Sequence, residues 1–190
     1  MILDSAAEII NSEGMSNLSM EKISSHADIS KSLMYKYFDN LTDLLKELLK
    51  RELESLRRLQ FKAAENANTF EELVRGVTYE YLSYINSRGL IIERLQSDPS
   101  VSDFSDPTDY GRSTSVDYLA SLVAKTFHMP LELARAATDI SFGLPSAAGH
   151  YLLSGAMSLD EVVELTSTMI IGSVMVVRDE YFARKKNLIR

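Results

Sequence analysis

The stretch from Leu18 to Phe38, LSMEKISSHADISKSLMYKYF, constrains this 190-residue chain more than any other. It encodes two short helices joined by a tight turn. Ser19 is placed to cap the first helix, with Glu21 and Lys22 in its opening turn. Ile23 and Ala27, four apart, share one face. Asp28 follows at the turn, and Asp tolerates the left-handed conformation better than most residues, though less well than Gly. Ile29 plugs the turn, and Ser30 caps a second helix over about Lys31 to Tyr37. Met34 and Phe38 then face inward with Ile23, Ala27 and Ile29, leaving Lys31, Ser32, Leu33, Tyr35 and Lys36 pointing out. A helix-turn-helix places its second helix in the major groove of DNA, where Lys, Ser and Tyr suit phosphate and base-edge contacts.

The flanks complete a small head. Ile2 to Glu13 reads as an amphipathic helix closed by Gly14, with Ile2, Ala6, Ile9 and Ile10 on one face. Asn40 caps a long helix that carries Leu41, Leu44, Leu45, Leu48 and Leu49 and runs to about Ala67. The segment ILDSAAEIINSEGMSNLSMEKISSHADISKSLMYKYFDNLTDLLKELL resembles the N-terminal domain of the tetracycline-repressor (TetR) family of transcriptional regulators. The likeness lies in the Ile-Leu start, the Ala6-Ala7 pair, the Gly closing helix one, the Ile-containing second helix and the terminal Met-Tyr-Lys-Tyr-Phe. It covers roughly the first fifty residues, at the lower end of domain sizes.

The resemblance implies an all-α homodimer: a three-helix head over 1–48 that reads an operator, and a bundle over 49–190 that binds a small molecule and dimerises. Carried over by position, Lys31, Ser32 and Leu33 face bases, and Tyr35, Lys36 and Tyr37 lie against bases or phosphates. Ser19, with the capping Ser30, helps seat the two helices on the backbone. Three positions depart from the family pattern. Asp28 stands where Gly is usual, Leu41 where a Lys often follows the aromatic exit, and Ser32 where a small residue opens the recognition helix. No basic arm precedes Ile2 within these residues.

Charge sharpens the expectation. Residues 1–50 hold five basic side chains (Lys22, Lys31, Lys36, Lys46, Lys50) against eight acidic ones (Asp4, Glu8, Glu13, Glu21, Asp28, Asp39, Asp43, Glu47), a net of −3 within a chain of net −7. Nucleic-acid binders usually present a basic patch. Binding here therefore depends on local placement of charge and on two heads acting together. The log–log salt slope should be shallower than about −8, because the slope counts neutralised phosphates.

Beyond the head, helical periodicity continues without strand-like alternation. Thr69 caps a helix bearing Phe70, Leu73, Val74, Val77, Tyr81 and Tyr84, which Gly89 ends. A short helix over Leu90 to Gln96 follows, then a loop over Asp98 to Asp109, a helix from Tyr110 to His128, and Pro130 at the first turn of the next. Two long helices close the chain, Leu131 to Leu153 with a kink or interruption at Pro145, and Asp160 to Lys186 capped by Ser158. The last carries Val162, Val163, Leu165, Met169, Ile170, Val174, Val177 and Tyr181, and Ile171, Met175 and Val176 extend its apolar surface round the side. A helix apolar on more than one side needs a second partner, so dimerisation through these last two helices is expected.

For a mostly apolar small-molecule effector the pocket candidates are Tyr81, Tyr84, Ile85, Ile92, Leu95, Tyr110, Tyr118, Phe142 and His150, although aromatics at helical spacing are more often plain core. His150 reads as a satisfied core histidine. The chain has no cysteine, and its three histidines share no ligand spacing, so neither a cofactor nor a metal is expected. No signal peptide or membrane span is legible, which points to the cytoplasm. No nucleophile–base pair, phosphate-binding glycine loop or Gly-x-Ser-x-Gly elbow supports an enzyme. The reading is a ligand-responsive repressor that binds a near-palindromic double-stranded operator as a homodimer. The alternative is a dimeric helical ligand-sensing or interaction protein that no longer binds DNA.

Overall fold

A computed structural model of the chain describes residues 1–102 and 107–187, with side-chain detail for all of these except 102 and 107–112. The described residues are all-α, with no strand among them. They divide into two compact units: Met1–Arg57 with the described part of Arg88–Thr108, and Arg58–Ser87 with the described part of Asp109–Arg190.

In the first unit, α1 (Ile2–Glu13), α2 (Met20–His26), α3 (Lys31–Tyr37) and the opening of α4 (Leu41–Asn66) begin and end where their caps dictate. Lys22 N–H donates to Ser19 Oγ at 3.1 Å, Leu33 N–H to Ser30 Oγ at 3.2 Å, and Asp43 N–H to Asn40 Oδ1 at 2.9 Å. Each bond satisfies one of the amides a helix start leaves without a backbone partner. The core gathers Ala6, Ile9, Ile10, Ile23, Met34, Leu44, Leu45 and Leu48, all buried.

This core draws on a later part of the sequence as well. Ile91 and Leu95 of α6 (Ile91–Gln96) and Val101 of α7 (Pro99–Ser102) are buried in the same cluster. Two arginines, Arg88 and Arg94, fix the segment there. Arg88 ends α5 (Phe70–Arg88) and forks onto Glu52 of α4, with Nη2 to Oε1 at 2.6 Å and Nε to Oε2 at 3.2 Å. Arg51 Nη2 reaches the same Oε1 at 2.7 Å, while its Nη1 binds Asp4 Oδ1 at 2.8 Å. Glu52 is only 3% exposed, and a carboxylate this buried persists only with such donors around it. Arg94 Nη1 donates to the carbonyls of Ile10 (2.6 Å) and Asn11 (3.2 Å), capping the end of α1. Gly89, at φ 64°, lies so close to Asn11 that an added Cβ would stand 2.3 Å from Asn11 Oδ1.

The second unit holds the remainder of α4 and of α5, α8 (Pro107–Phe127), α9 (Leu131–Ser141), α10 (Gly143–Leu152) and α11 (Leu159–Asn187). One cluster gathers Ala64, Phe70, Leu73, Val74, Val123, Met129, Ala134 and Val174; another gathers Leu82, Leu152, Val162 and Val163. Phe70 meets Phe127 edge to face at 4.9 Å between centroids. Glu72 N–H donates to Thr69 Oγ1 at 3.1 Å. At the start of α11, Ser158 and Glu161 form a capping box, Ser158 N–H donating to Glu161 Oε2 at 2.8 Å and Glu161 N–H to Ser158 Oγ at 3.4 Å.

Four expectations change. The stretch from Asp98 is not all loop: Pro99 and Pro107 each begin a helix, at the position where proline's missing amide costs nothing. The part of that loop over 103–106 lies outside the described residues. Pro130 sits one position earlier than expected, as the residue preceding α9. The interruption expected at Pro145 falls three residues earlier, at Phe142, so the stretch to Leu153 is two helices and Pro145 occupies the first turn of α10, where it needs no acceptor. On α11, Leu165 and Met169 are about half exposed, while Thr166 and Ser167 take the buried side.

Candidate nucleic-acid interface

The turn between α2 and α3 is a Schellman motif built around an aspartate. Asp28 has φ 52°, Ile29 N–H donates to Ser24 C=O at 3.0 Å, and Asp28 N–H to Ser25 C=O at 3.3 Å. The left-handed position that favours glycine is thus filled by one of the few side chains that accept it. Asp28 itself is exposed. Ile23 and Met34 are fully buried where the two helices meet, Ala27 is buried, and Ile29 and Phe38 are partly buried beside them. With Met34 turned inward, Lys31, Ser32, Leu33, Tyr35, Lys36 and Tyr37 are all exposed. Tyr37 is 64% exposed, a large open area for an aromatic ring with no fold-stabilising task there.

Both capping serines keep a donor to spare. Ser19 and Ser30 accept through Oγ from Lys22 and Leu33, so each hydroxyl hydrogen remains directed by whatever acceptor comes near. Charge on the face is partly neutralised from within. Lys31 Nζ lies 3.4 Å from Glu21 Oε1, and Lys22 is paired with Glu13. The Glu21 carboxyl is held below its ordinary range, first by its own backbone amide and then by Lys31. Glu21 is legible from sequence as a first-turn acid of α2, and the fold brings it to Lys31 at the start of α3.

The effector candidates scatter. Tyr84 and Ile85 are buried in the second unit, where an added Cβ on Gly149 of α10 would touch Ile85 Cγ1 at 3.3 Å. Tyr81 packs against the cluster of Leu82 and Leu152. Tyr118 is exposed, with its ring 6.0 Å from that of Phe61, and Phe142 is partly buried at the break between α9 and α10. His150 is exposed, not a core histidine. Ile92 and Leu95 belong to the packing of the first unit. The Tyr110 side chain lies outside the described residues. Two buried hydroxyls of the second unit, Thr138 Oγ1 and Ser167 Oγ, have no hydrogen-bond partner among the described residues. Sequence patterning could not flag them, since Ser and Thr on a helix usually reach their own backbone or water. Among the described residues no cluster of His, Asp or Glu is arranged to hold a metal, and no helix is long and apolar enough to cross a membrane.

Taken by fold and by the geometry of α2 and α3, this is an all-helical protein with a helix-turn-helix head. Residues 2–48 match the family described as bacterial regulatory proteins, tetR family. The chain is similar in structure to the fatty acid degradation regulator FadR from Bacillus halodurans (19% identity, TM-score 0.77, covering 90% of this chain and 96% of that one). It is likewise similar to TetR-family regulators from Marinobacter aquaeolei VT8 (15% identity, TM-score 0.73, 90% and 92% covered) and Streptomyces coelicolor (17% identity, TM-score 0.70, 93% and 94% covered). No curated protein matches it in sequence. Residues 2–48 are thus similar to the N-terminal domain of the TetR family, and the fold of the chain is the one these regulators share. The members of that family are transcription regulators and not enzymes.

Proposed function

We propose that the protein is a cytoplasmic, ligand-responsive transcriptional repressor that binds a near-palindromic operator as a homodimer. The observation that carries this reading is the orientation of α3, with Met34 inward and six side chains capable of base and phosphate contact outward. DNA reading is assigned to the head over 1–48, with contacts from Ser19, Ser30, Lys31, Ser32, Leu33, Tyr35, Lys36 and Tyr37. Effector binding and dimerisation are assigned to the rest of the chain, 49–190.

The dimer is proposed through the helices that close the chain. Leu165, Met169, Gly172 and Val176 recur at helical spacing along α11; the first two are about half exposed, Val176 is 61% exposed, and a Cβ on Gly172 would meet nothing within 4 Å. Ile140, Tyr151 and Leu153 on and beside α9 and α10 are exposed as well. A two-fold pair of heads would then read half-sites about 34–36 Å apart. The effector is proposed to be mostly apolar, held among Tyr81, Tyr84, Ile85, Tyr118 and Phe142. Because FadR of Bacillus halodurans is a fatty acid degradation regulator, fatty acids are the first effectors to try. An effector can act only by preferring one arrangement of the heads over another.

Selection from a random duplex pool by the purified protein tests the reading. A palindromic consensus with one dimer bound per site is expected. Recovery of no consensus would instead favour the interaction protein without DNA binding, a reading supported by the acidic head and by the engagement of Lys31 with Glu21.

A further inference from the structure

We propose that Glu21 is an intramolecular competitor for Lys31, so that DNA phosphate must displace a carboxylate before this head can bind. The inference rests on the DNA-binding reading above and adds a residue that sets affinity and salt response within it.

The geometry is specific. Lys31 opens α3, at the end of the helix that would approach the duplex, and Glu21 lies in the first turn of α2. Their charged atoms stand 3.4 Å apart, while both side chains are more than half exposed and so remain open to a third partner. The outward face of α3 carries only one other cation, Lys36. Lys22 is already paired with Glu13 and Arg51 with Asp4 and Glu52. In a head whose charge totals −3 over residues 1–50, one carboxylate on Lys31 therefore removes a large share of the positive charge available at the proposed interface.

The chemistry follows from what the two anions offer. A carboxylate and a phosphate both present oxygen acceptors to an ammonium, and Lys supplies a compact charge with three donors. An exposed carboxylate–ammonium pair is weak, so phosphate can displace it. The displaced Glu21 then stays beside the DNA as a like charge, so the penalty persists in the complex. Sequence-independent binding, which depends on phosphate neutralisation, suffers most. Binding that also gains base-edge contacts from Ser32, Leu33 and Tyr35 can absorb the loss. Glu21 thereby favours specific over non-specific sites.

The test is fluorescence anisotropy on a random-sequence duplex and on the selected operator, over a range of salt, with wild type, Glu21→Gln, Lys31→Gln and the double variant. Both positions are exposed, so the variants should keep the wild-type circular dichroism and melting temperature. Glu21→Gln is expected to bind random duplex several-fold more tightly and to narrow the ratio between operator and random sequence. Its log–log salt slope should steepen by about 2 per dimer, because in wild type each displaced carboxylate takes up about one cation and offsets one release. In the Lys31→Gln background the same substitution should have less than half that effect. If Glu21→Gln leaves slope and affinity unchanged while wild type binds its operator, the competitor role is wrong and the DNA-binding reading stands. An equal gain with and without Lys31 would overturn it as well, leaving only bulk charge. Binding by Glu21→Gln alone, with none by wild type, would support it. Failure of every variant to bind any duplex would refute both.

Discussion

Removal of Arg88 tests whether the buried carboxylate of Glu52 binds the later segment to the head. Arg88→Ala deletes two charge-assisted hydrogen bonds, at 2.6 and 3.2 Å, to a side chain almost entirely out of water. A hydrogen bond to a charged group contributes about 1.5–3 kcal/mol, and stripping one partner from a buried pair costs about 3–5 kcal/mol. Arg51 still holds Oε1 at 2.7 Å, so the loss stays below that for a fully stripped pair and near that of one charged hydrogen bond, about 2–3 kcal/mol. With a urea m value of about 2 kcal/mol/M, the midpoint should fall by about 1 M. The loss should be local at first: amides of α6 and of the last turn of α1 should exchange faster, by roughly the factor of 30–150 that such an energy implies. Arg75→Ala is the control, because its pair with Glu164 is exposed on both sides and should move the midpoint little. If Arg88→Ala shifted the midpoint no more than Arg75→Ala, the Glu52 cluster would be a solvated ornament and the reasoning about its burial would be wrong.

Neighbouring residues of α3 should separate stability from recognition. Met34→Ala, at a site with no exposure, should cost about 2–5 kcal/mol by chemical denaturation, whereas Leu33→Ala should cost under about 0.5 kcal/mol yet weaken operator binding in a titration. Gly89→Ala should cost about 1–2 kcal/mol from its left-handed backbone, and adding Asn11→Ala should recover only what the Cβ contact with Asn11 contributes, since the backbone strain remains; a thermal melt of both variants decides. The caps Glu72 and Glu161 have carboxyl groups held below their ordinary 4.5, the first by the Asn68 amide and the second by the Ser158 amide. Groups lowered by folding stabilise the native state above the unfolded value and lose that contribution as pH falls through the folded value. Stability should therefore drop on acidification below about pH 4.5, and Glu72→Gln with Glu161→Gln should flatten the urea midpoint over that window.

Local chemistry made most of the fold legible. Ser19, Ser30, Asn40, Thr69 and Ser158 each cap a helix within their own four residues, so boundaries could be placed without knowing what packs on what. The α3 face was legible for the same reason: Met34 and Ile23 fix the phase, and the exposed side chains follow from it. Prolines were read with less success. Pro99, Pro107 and Pro145 each lie in the first turn of a helix, a position a sequence cannot tell from a loop or a kink until the preceding turn is known. The effector candidates depended on tertiary partners. Spacing placed Tyr84 and Leu95 on apolar faces alike, but Leu95 serves the packing of the head and Tyr84 that of the second unit. Glu21 was visible as a capping-turn acid, and only three dimensions bring it to Lys31.

The return of Ile91, Leu95 and Val101 to the core of the first unit makes the head a discontinuous object. A fragment cut after residue 48 would bare Leu44, Leu45 and Leu48 and leave the end of α1 without the guanidinium that closes it. Grafting this reader onto another sensor would consequently require transplanting two separated pieces of sequence, and any insertion engineered between them must let the second find its way back.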